Sequence, residues 1–297
     1  MKFGLCLPSY AFPDLDYATC SRLRDFCVRA ERLGYDAVWV PEHLLTARGL
    51  YGTAWLSPLE VLSFAAGATS RIKVATGILI PPIRNPVFLA KEIASLVYLS
   101  GGRFELGIGV GWDAHEFQVA GVPLGERGGR TDEILDVWAK LWAGQEVTHR
   151  GRYYAFERVA IDPPLPAPPR LWMAGGSKIQ TSLSPDPPTI SPTVLERIGR
   201  PRAALTFGHL NFTHVVATDR EDVAHREQRP RLERVMGIHR GWEHLTRCYL
   251  MGTPARIRDR IAELAAAGLE YLLLSPLDYD LAQLDLWQEE IVRHFSS

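Results

Sequence analysis

The feature that most narrows the fold is one pattern repeated along the first third of the chain. An apolar run short enough for a strand is followed by apolar residues at helical spacing, and then by another such run. Lys2 to Leu7 is the first run, closed by Pro8. Tyr17 to Leu33 then puts Leu23, Phe26, Cys27, Ala30 and Leu33 at helical spacing, with Gly34 where a helix-ending glycine belongs. Tyr35 to Val40 is the second run and leads into Pro41-Glu42-His43. Ser57 to Thr69 and Val87 to Leu99 read as helices on either side of a third run, Arg71 to Leu79, and a fourth begins at Phe104. A helix between two strands makes them parallel through a right-handed crossover, which directs any active face to the C-terminal ends of the strands.

The fourth run carries the densest signal. Gly101-Gly102-Arg103-Phe104-Glu105-Leu106-Gly107-Ile108-Gly109-Val110-Gly111-Trp112 begins at a turn, continues as an apolar strand and ends in glycines, with Asp113-Ala114-His115-Glu116-Phe117 behind it. That succession is how a barrel strand delivers side chains to a site. A dinucleotide-binding loop is the competing reading of Gly107 to Gly111, and it fails on position: that fingerprint belongs to a first βα turn, where this chain has none.

Further along, Glu126 to Leu141 is helical, Glu146 to Ile161 reads as a surface hairpin, and Pro163 to Pro169 is a proline-rich connection. Leu171 to Ser177 is a fifth strand opening into Gly175-Gly176-Ser177. Ala203 to Phe207, Phe212 to Thr218 and Tyr271 to Pro276 bring the count to eight strands; Leu232 to Met251 is mostly helical, and Thr253-Pro254 starts a capped helix. Eight strands close a (β/α)8 barrel, so residues 1–297 are expected to form one α/β TIM-barrel domain.

Composition narrows function by exclusion. A net charge of -1 gives no basic excess for nucleic acid. The N-terminal apolar run is too short for a secretory segment and no later run is long enough to span a bilayer, so a cytoplasmic location is expected. Cys6, Cys20, Cys27 and Cys248 make no CxxC pair and read as reduced thiols. The nine histidines form no HxH or HExxH pair, so no metal is expected and a metal-dependent hydrolase is set aside.

Taken together, Trp39-Val40-Pro41-Glu42-His43, Ala75-Thr76-Gly77-Ile78, Ser100 through Trp112, Glu116-Phe117 with Arg127 and Glu133, Leu171 through Ser177, and Gly252-Thr253-Pro254 resemble the luciferase-like monooxygenase superfamily. The resemblance implies a TIM-like barrel with an insertion, commonly dimeric, that binds the deazaflavin F420 or FMN at the C-terminal strand ends. F420-dependent hydride transfer is the leading expectation, a reduced-FMN and oxygen monooxygenase the alternative, and a non-catalytic flavin-binding or dimerising homologue the reading from another class. The chain departs from the family pattern after Ser177, where a Pro/Ser segment stands in place of the usual helix, so a shortened or altered sixth βα unit is expected. It also has Trp112 where the sugar-phosphate dehydrogenases of the deazaflavin group carry a catalytic glutamate, so that activity is not carried over.

From the resemblance and from position, His43 and Glu42 are the catalytic candidates, because an imidazole just past a strand end can exchange protons near neutral pH. Glu42 serves equally as a helix-start or surface carboxylate. Thr76, Gly77, Gly109, Gly111, Trp112, Gly175, Gly176 and Ser177 are the cofactor-binding candidates, with Gly77 allowing a backbone bulge and the Gly-Gly-Ser turn offering N–H groups to a phosphate. Trp138 and Trp142 suggest a helical surface covered in a homodimer.

Overall fold

The computed structural model describes residues 1–11, 16–45, 54–174, 206–237 and 241–295. Strands β1 (Lys2–Cys6), β3 (Ala37–Val40), β5 (Lys73–Thr76) and β6 (Phe104–Ile108) alternate with helices α1 (Tyr17–Leu33), α2 (Pro58–Ala68) and α3 (Pro86–Leu99), as the repeat requires. Two-residue strands β2 (Tyr10–Ala11) and β4 (Ala54–Trp55) pair with each other beside this frame. Then come α4 (Ala114–Val119), α5 (Arg127–Trp142), the hairpin β7 (Val147–Arg150) and β8 (Ala155–Val159), and β9 (Arg170–Met173). After β10 (Gly208–Phe212) the chain forms α6 (Glu221–Met236), α7 (Trp242–Cys248), α8 (Pro254–Ala266), β11 (Tyr271–Ser275) and α9 (Ala282–Glu290).

Among the described residues, seven strands make one curled parallel sheet in the order β10-β11-β1-β3-β5-β6-β9. Side chains alternate along each strand, so one set faces the helices and the other the barrel interior. The helix-facing set includes Leu5, Val38, Val40, Val74, Phe104, Leu106, Leu272 and Leu274 and merges with the apolar faces of the helices into the main core. Facing inward are Cys6, Ala37, Trp39, Ala75, Tyr271 and Leu273, joined by Trp172 and Leu210. Trp39, Trp172 and Tyr271 meet edge to face at centroid separations of 5.2 to 5.7 Å, a geometry that rings prefer over a flat stack. Around them Lys73 pairs with Asp36 and Glu105, and Trp172 Nε1 donates to Glu105 at 2.6 Å.

Several expectations need correction. The strand expected over Phe212 to Thr218 lies four residues earlier, at Gly208–Phe212, because Asn211 is accommodated: its side chain accepts from Leu250 N and donates to Cys248 O, as a neighbouring strand would. Of Ala203 to Phe207, residues 203–205 lie outside the described residues and Thr206 and Phe207 are not strand. Of the expected altered sixth unit, 178–211, residues 178–205 also lie outside them, and its end enters the strand Gly208–Phe212. A helix begins at Glu221, eleven residues before the expected start at Leu232, and runs through Pro230. Trp138 and Trp142 are not an exposed surface. Both are buried, with their indole N–H groups donating to Pro86 O and Ala90 O, and they lock α5 onto α3. Glu133 grips the hairpin turn, accepting from the amides of Arg152, Tyr153 and Tyr154 and bonding His149. Cys6, Cys20, Cys27 and Cys248 form no disulfide.

Candidate active site at the barrel mouth

The ends of β3, β5 and β6 converge on one place. Past β5 the ladder with β6 carries an irregularity: Ala75 pairs with Glu105 and Leu79 with Ile108, so four residues on one strand are matched by three on the other. This is a one-residue bulge, centred on a cis peptide between Gly77 and Ile78. Thr76, fully buried, spans the gap, its hydroxyl donating to Gly107 O at 2.7 Å and accepting from Gly107 N at 2.8 Å. The strands come so close that a Cβ on residue 107 would lie 2.0 Å from Thr76 O, which glycine alone avoids. Gly109 N returns to Leu79 O at 2.9 Å, closing the bulge. Gly111, at φ 77°, turns the chain out of the strand and leaves Trp112 45% exposed.

Asp113 caps the short α4, accepting from His115 N, and places Glu116 at the third helical position. A glutamate there ordinarily reaches back to its own cap. Glu116 instead reaches the chain leaving β3: its Oε1 accepts from Leu44 N at 2.8 Å and Leu45 N at 3.1 Å and lies 3.3 Å from His43 Nδ1. Burial raises the Glu116 pKa, but the bonds from His43 and the two amides outweigh it, and the net shift is downward. The carboxylate is therefore ionised and only accepts, so His43 Nδ1 carries the proton of that bond. The imidazole packs against two indoles, with centroids 5.8 Å from Trp55 and 5.5 Å from Trp112.

Glu42, next to His43 in sequence, is placed differently. Its side chain is fully buried, one oxygen accepting from Ile80 N at 2.6 Å and the other bonded to Arg84. Burial pushes its pKa up, against the pull of Arg84 and with help from the Glu116 charge. This pair ties the end of β3 to the loop after β5. His43, Asp113 and Glu116 bring nitrogen and oxygen atoms within 4.8 Å of one another. With three N–H donors already on Glu116 Oε1, the cluster is organised to hold a ring rather than to surround an ion.

The structure thus brings His43, Gly77, Gly109, Gly111 and Trp112 to one mouth. It sends Glu42 and the Thr76 hydroxyl into internal bonds, and Gly175, Gly176 and Ser177 lie outside the described residues. Sequence reasoning missed what Glu116 holds and the presence of Trp55. The signal for Glu116 was present, in a carboxylate three residues after a capping aspartate, but its partners lie more than 70 residues earlier.

A family model described as luciferase-like monooxygenase matches residues 1–184. An F420-dependent glucose-6-phosphate dehydrogenase of Kineococcus radiotolerans is 35% identical over 159 residues, which is 52% of this chain and 47% of that protein. The chain spans about half the length of the curated relatives it matches. Among solved structures, monooxygenase RslO1 from Streptomyces bottropensis superposes with a TM-score of 0.77 at 20% identity, covering 100% of both chains. An F420-dependent secondary alcohol dehydrogenase in complex with an F420-acetone adduct does so with a TM-score of 0.76 at 19% identity, covering 98% of each. At such identities these likenesses show the fold, a barrel of the TIM type.

Proposed function

Because the chain belongs to the luciferase-like monooxygenase family, we propose that it is an F420-dependent oxidoreductase that transfers hydride to or from a small organic substrate at the mouth formed by β3, β5 and β6. The observation that carries this reading is His43 held at a strand end against two indoles, beside a bulge that presents backbone to the same mouth. The F420-dependent relative, matched over about half of each chain, supports the cofactor assignment.

The residues present fit a flat, polar-edged ring. The bulge at Gly77-Ile78 gives such a ring a backbone seat, Val110 and Trp112 add partly exposed apolar surface, and Gly111 keeps the turn between them free of a side chain. A phosphate on the same cofactor would fall to Gly175-Gly176-Ser177 by sequence. Bound F420 supplies the hydride acceptor or donor; the protein's part is to manage the accompanying proton. When a substrate C–H gives up hydride and its O–H gives up a proton, His43 takes the proton at Nε2, since Nδ1 already donates to Glu116. Glu42 and Thr76 are assigned to shaping the mouth rather than to the reaction. Sugar phosphates are not the proposed substrates, because Trp112 fills the place of the acid that those dehydrogenases use.

Titration of purified protein with F420 and, separately, with FMN tests the reading. F420 binding together with bleaching of its absorbance on reduction is expected, whereas FMN binding with oxygen consumption would replace it by the monooxygenase alternative. Binding of either with no turnover over a broad substrate panel would favour a non-catalytic relative. We also assign a homodimer. Phe64, Phe88 and Leu99 on α2 and α3 are 47 to 70% exposed and offer an apolar surface to a second copy, in place of the buried Trp138 and Trp142. No helix among the described residues is long and apolar enough to cross a membrane.

A further inference from the structure

We propose that Glu116 is the positioning residue of this site, fixing the tautomer and the plane of the His43 ring so that Nε2 is the nitrogen that meets the substrate. The inference rests on the reading of His43 as the proton-handling group and adds what prepares it.

A neutral imidazole has two tautomers, and which nitrogen carries the hydrogen is decided by what the other parts of the ring can bond. Among the described residues the acceptor at Nδ1 is Glu116 Oε1, at 3.3 Å. The side chain holding it is about 1% exposed, so water competes little for that oxygen. Two amides, Leu44 N and Leu45 N, pin the oxygen from the side of the chain that carries His43, and the short helix capped by Asp113 pins it from the other. An oxygen so fixed cannot follow the ring; the ring must turn to the oxygen. The indoles then restrict rotation about that bond, with Trp55 tilted 37° to the imidazole and Trp112 nearly perpendicular at 74°. A histidine that donates one N–H to a buried carboxylate presents its other nitrogen as an acceptor, the arrangement by which orienting carboxylates also serve metal-bound histidines.

The neighbouring charges agree with this role. Glu42 is the other buried carboxylate here and could compete for the Nδ1 proton, but Arg84 and Ile80 N occupy its two oxygens. Asp113 Oδ1 is occupied by His115 N. Among the carboxylates described at the mouth, Glu116 alone is bonded to the ring.

The decisive measurement is the 15N spectrum of ring-labelled protein without cofactor, with the His43 signals identified by their loss in His43→Gln. Wild type is expected to show the neutral ring protonated at Nδ1. Glu116→Ala is expected to release the tautomer and lower F420-linked turnover about 10- to 100-fold while cofactor Kd changes by less than about threefold. Glu116→Gln keeps an acceptor oxygen, so it should keep the tautomer and recover part of the turnover. Wild-type protein carrying the neutral-ring proton on Nε2 would overturn the proposal. So would a variant pair that loses thermal stability yet keeps both the tautomer and the turnover per folded molecule. Should Glu116→Ala fail to fold, the wild-type spectrum and Glu116→Gln still decide. A wild-type protein that ignores F420 would refute the proposed function, and the ring spectrum would answer separately for Glu116.

Discussion

The barrel interior and the barrel mouth are built from the same kinds of groups, carboxylates, a cation and aromatic rings, but they use them differently. Inside, Lys73 lies between Asp36 and Glu105, Glu105 receives the Trp172 N–H, and Trp39 donates to the Tyr271 hydroxyl at 3.1 Å. Burial lowers the Lys73 pKa, yet its two carboxylates outweigh that and raise it, while burial and the Asp36 charge raise that of Tyr271. These groups satisfy one another within the barrel. At the mouth, internal pairing holds Glu42, Arg84 and Glu116, and the imidazole bonded to Glu116 stands beside a half-exposed indole. Polarity alone therefore does not mark the site. What distinguishes the mouth is an imidazole bonded to a buried carboxylate at Nδ1 and set beside two indoles, one of them half-exposed.

The largest effect should come from separating the two regions at His43. His43→Ala is expected to reduce F420-linked turnover about 10²–10⁴-fold, with the urea unfolding midpoint nearly unchanged. A lower midpoint with turnover per folded molecule preserved would move His43 to the structural side of the comparison. Glu105→Gln should do the converse: it weakens the hold on Lys73 and costs about 1–2 kcal/mol of unfolding free energy, while cofactor affinity stays put. A changed Kd for F420 in this variant would mean that the interior cluster communicates with the mouth.

The smallest effect concerns a carboxylate of the Glu116 kind on the outside of the barrel. Glu31 on α1 accepts from the amides of Ser70, Arg71 and Ile72. Burial raises its pKa, the amide bonds outweigh this, and the result is about 2 against an ordinary 4.5. A depressed folded-state value stabilises the protein above the unfolded value, and that stabilisation is lost as pH falls from about 4.5 toward about 2. Unfolding midpoints measured across this window should fall less steeply in Glu31→Gln than in wild type; equal slopes would remove Glu31 from the account.

Where local pattern and tertiary environment agree, the sequence was sufficient. The first four sheet strands and α1 to α3 follow from apolar spacing, and the helix beginning at Pro254 follows from Thr253, whose side chain accepts from Arg256 N. Long-range partners decided the rest. The strand through Asn211 is not legible locally because the groups its side chain bonds, Cys248 O and Leu250 N, are nearly 40 positions away. The helix at Glu221 was hidden by its charge density and Pro230. Trp138 and Trp142 were assigned to a surface since nothing local reveals that α3 carbonyls receive their N–H groups. The candidate site shows the same division: the place of His43 after a strand is legible, whereas Glu116 meets the ring only when α4 folds over Leu44 and Leu45.

The bulge after Thr76 acts on the strand as a frameshift acts on a message. Before it, even-numbered Val74 faces the helices and odd-numbered Ala75 faces the interior; after it, odd-numbered Leu79 is on the helix side. One residue at Gly77 thus reverses the parity by which every later side chain on that segment is assigned to a face. Deleting it would leave composition and hydropathy almost untouched, yet it would send Leu79 into the barrel, turn Ile80 toward the helices and draw the Ile80 amide away from Glu42.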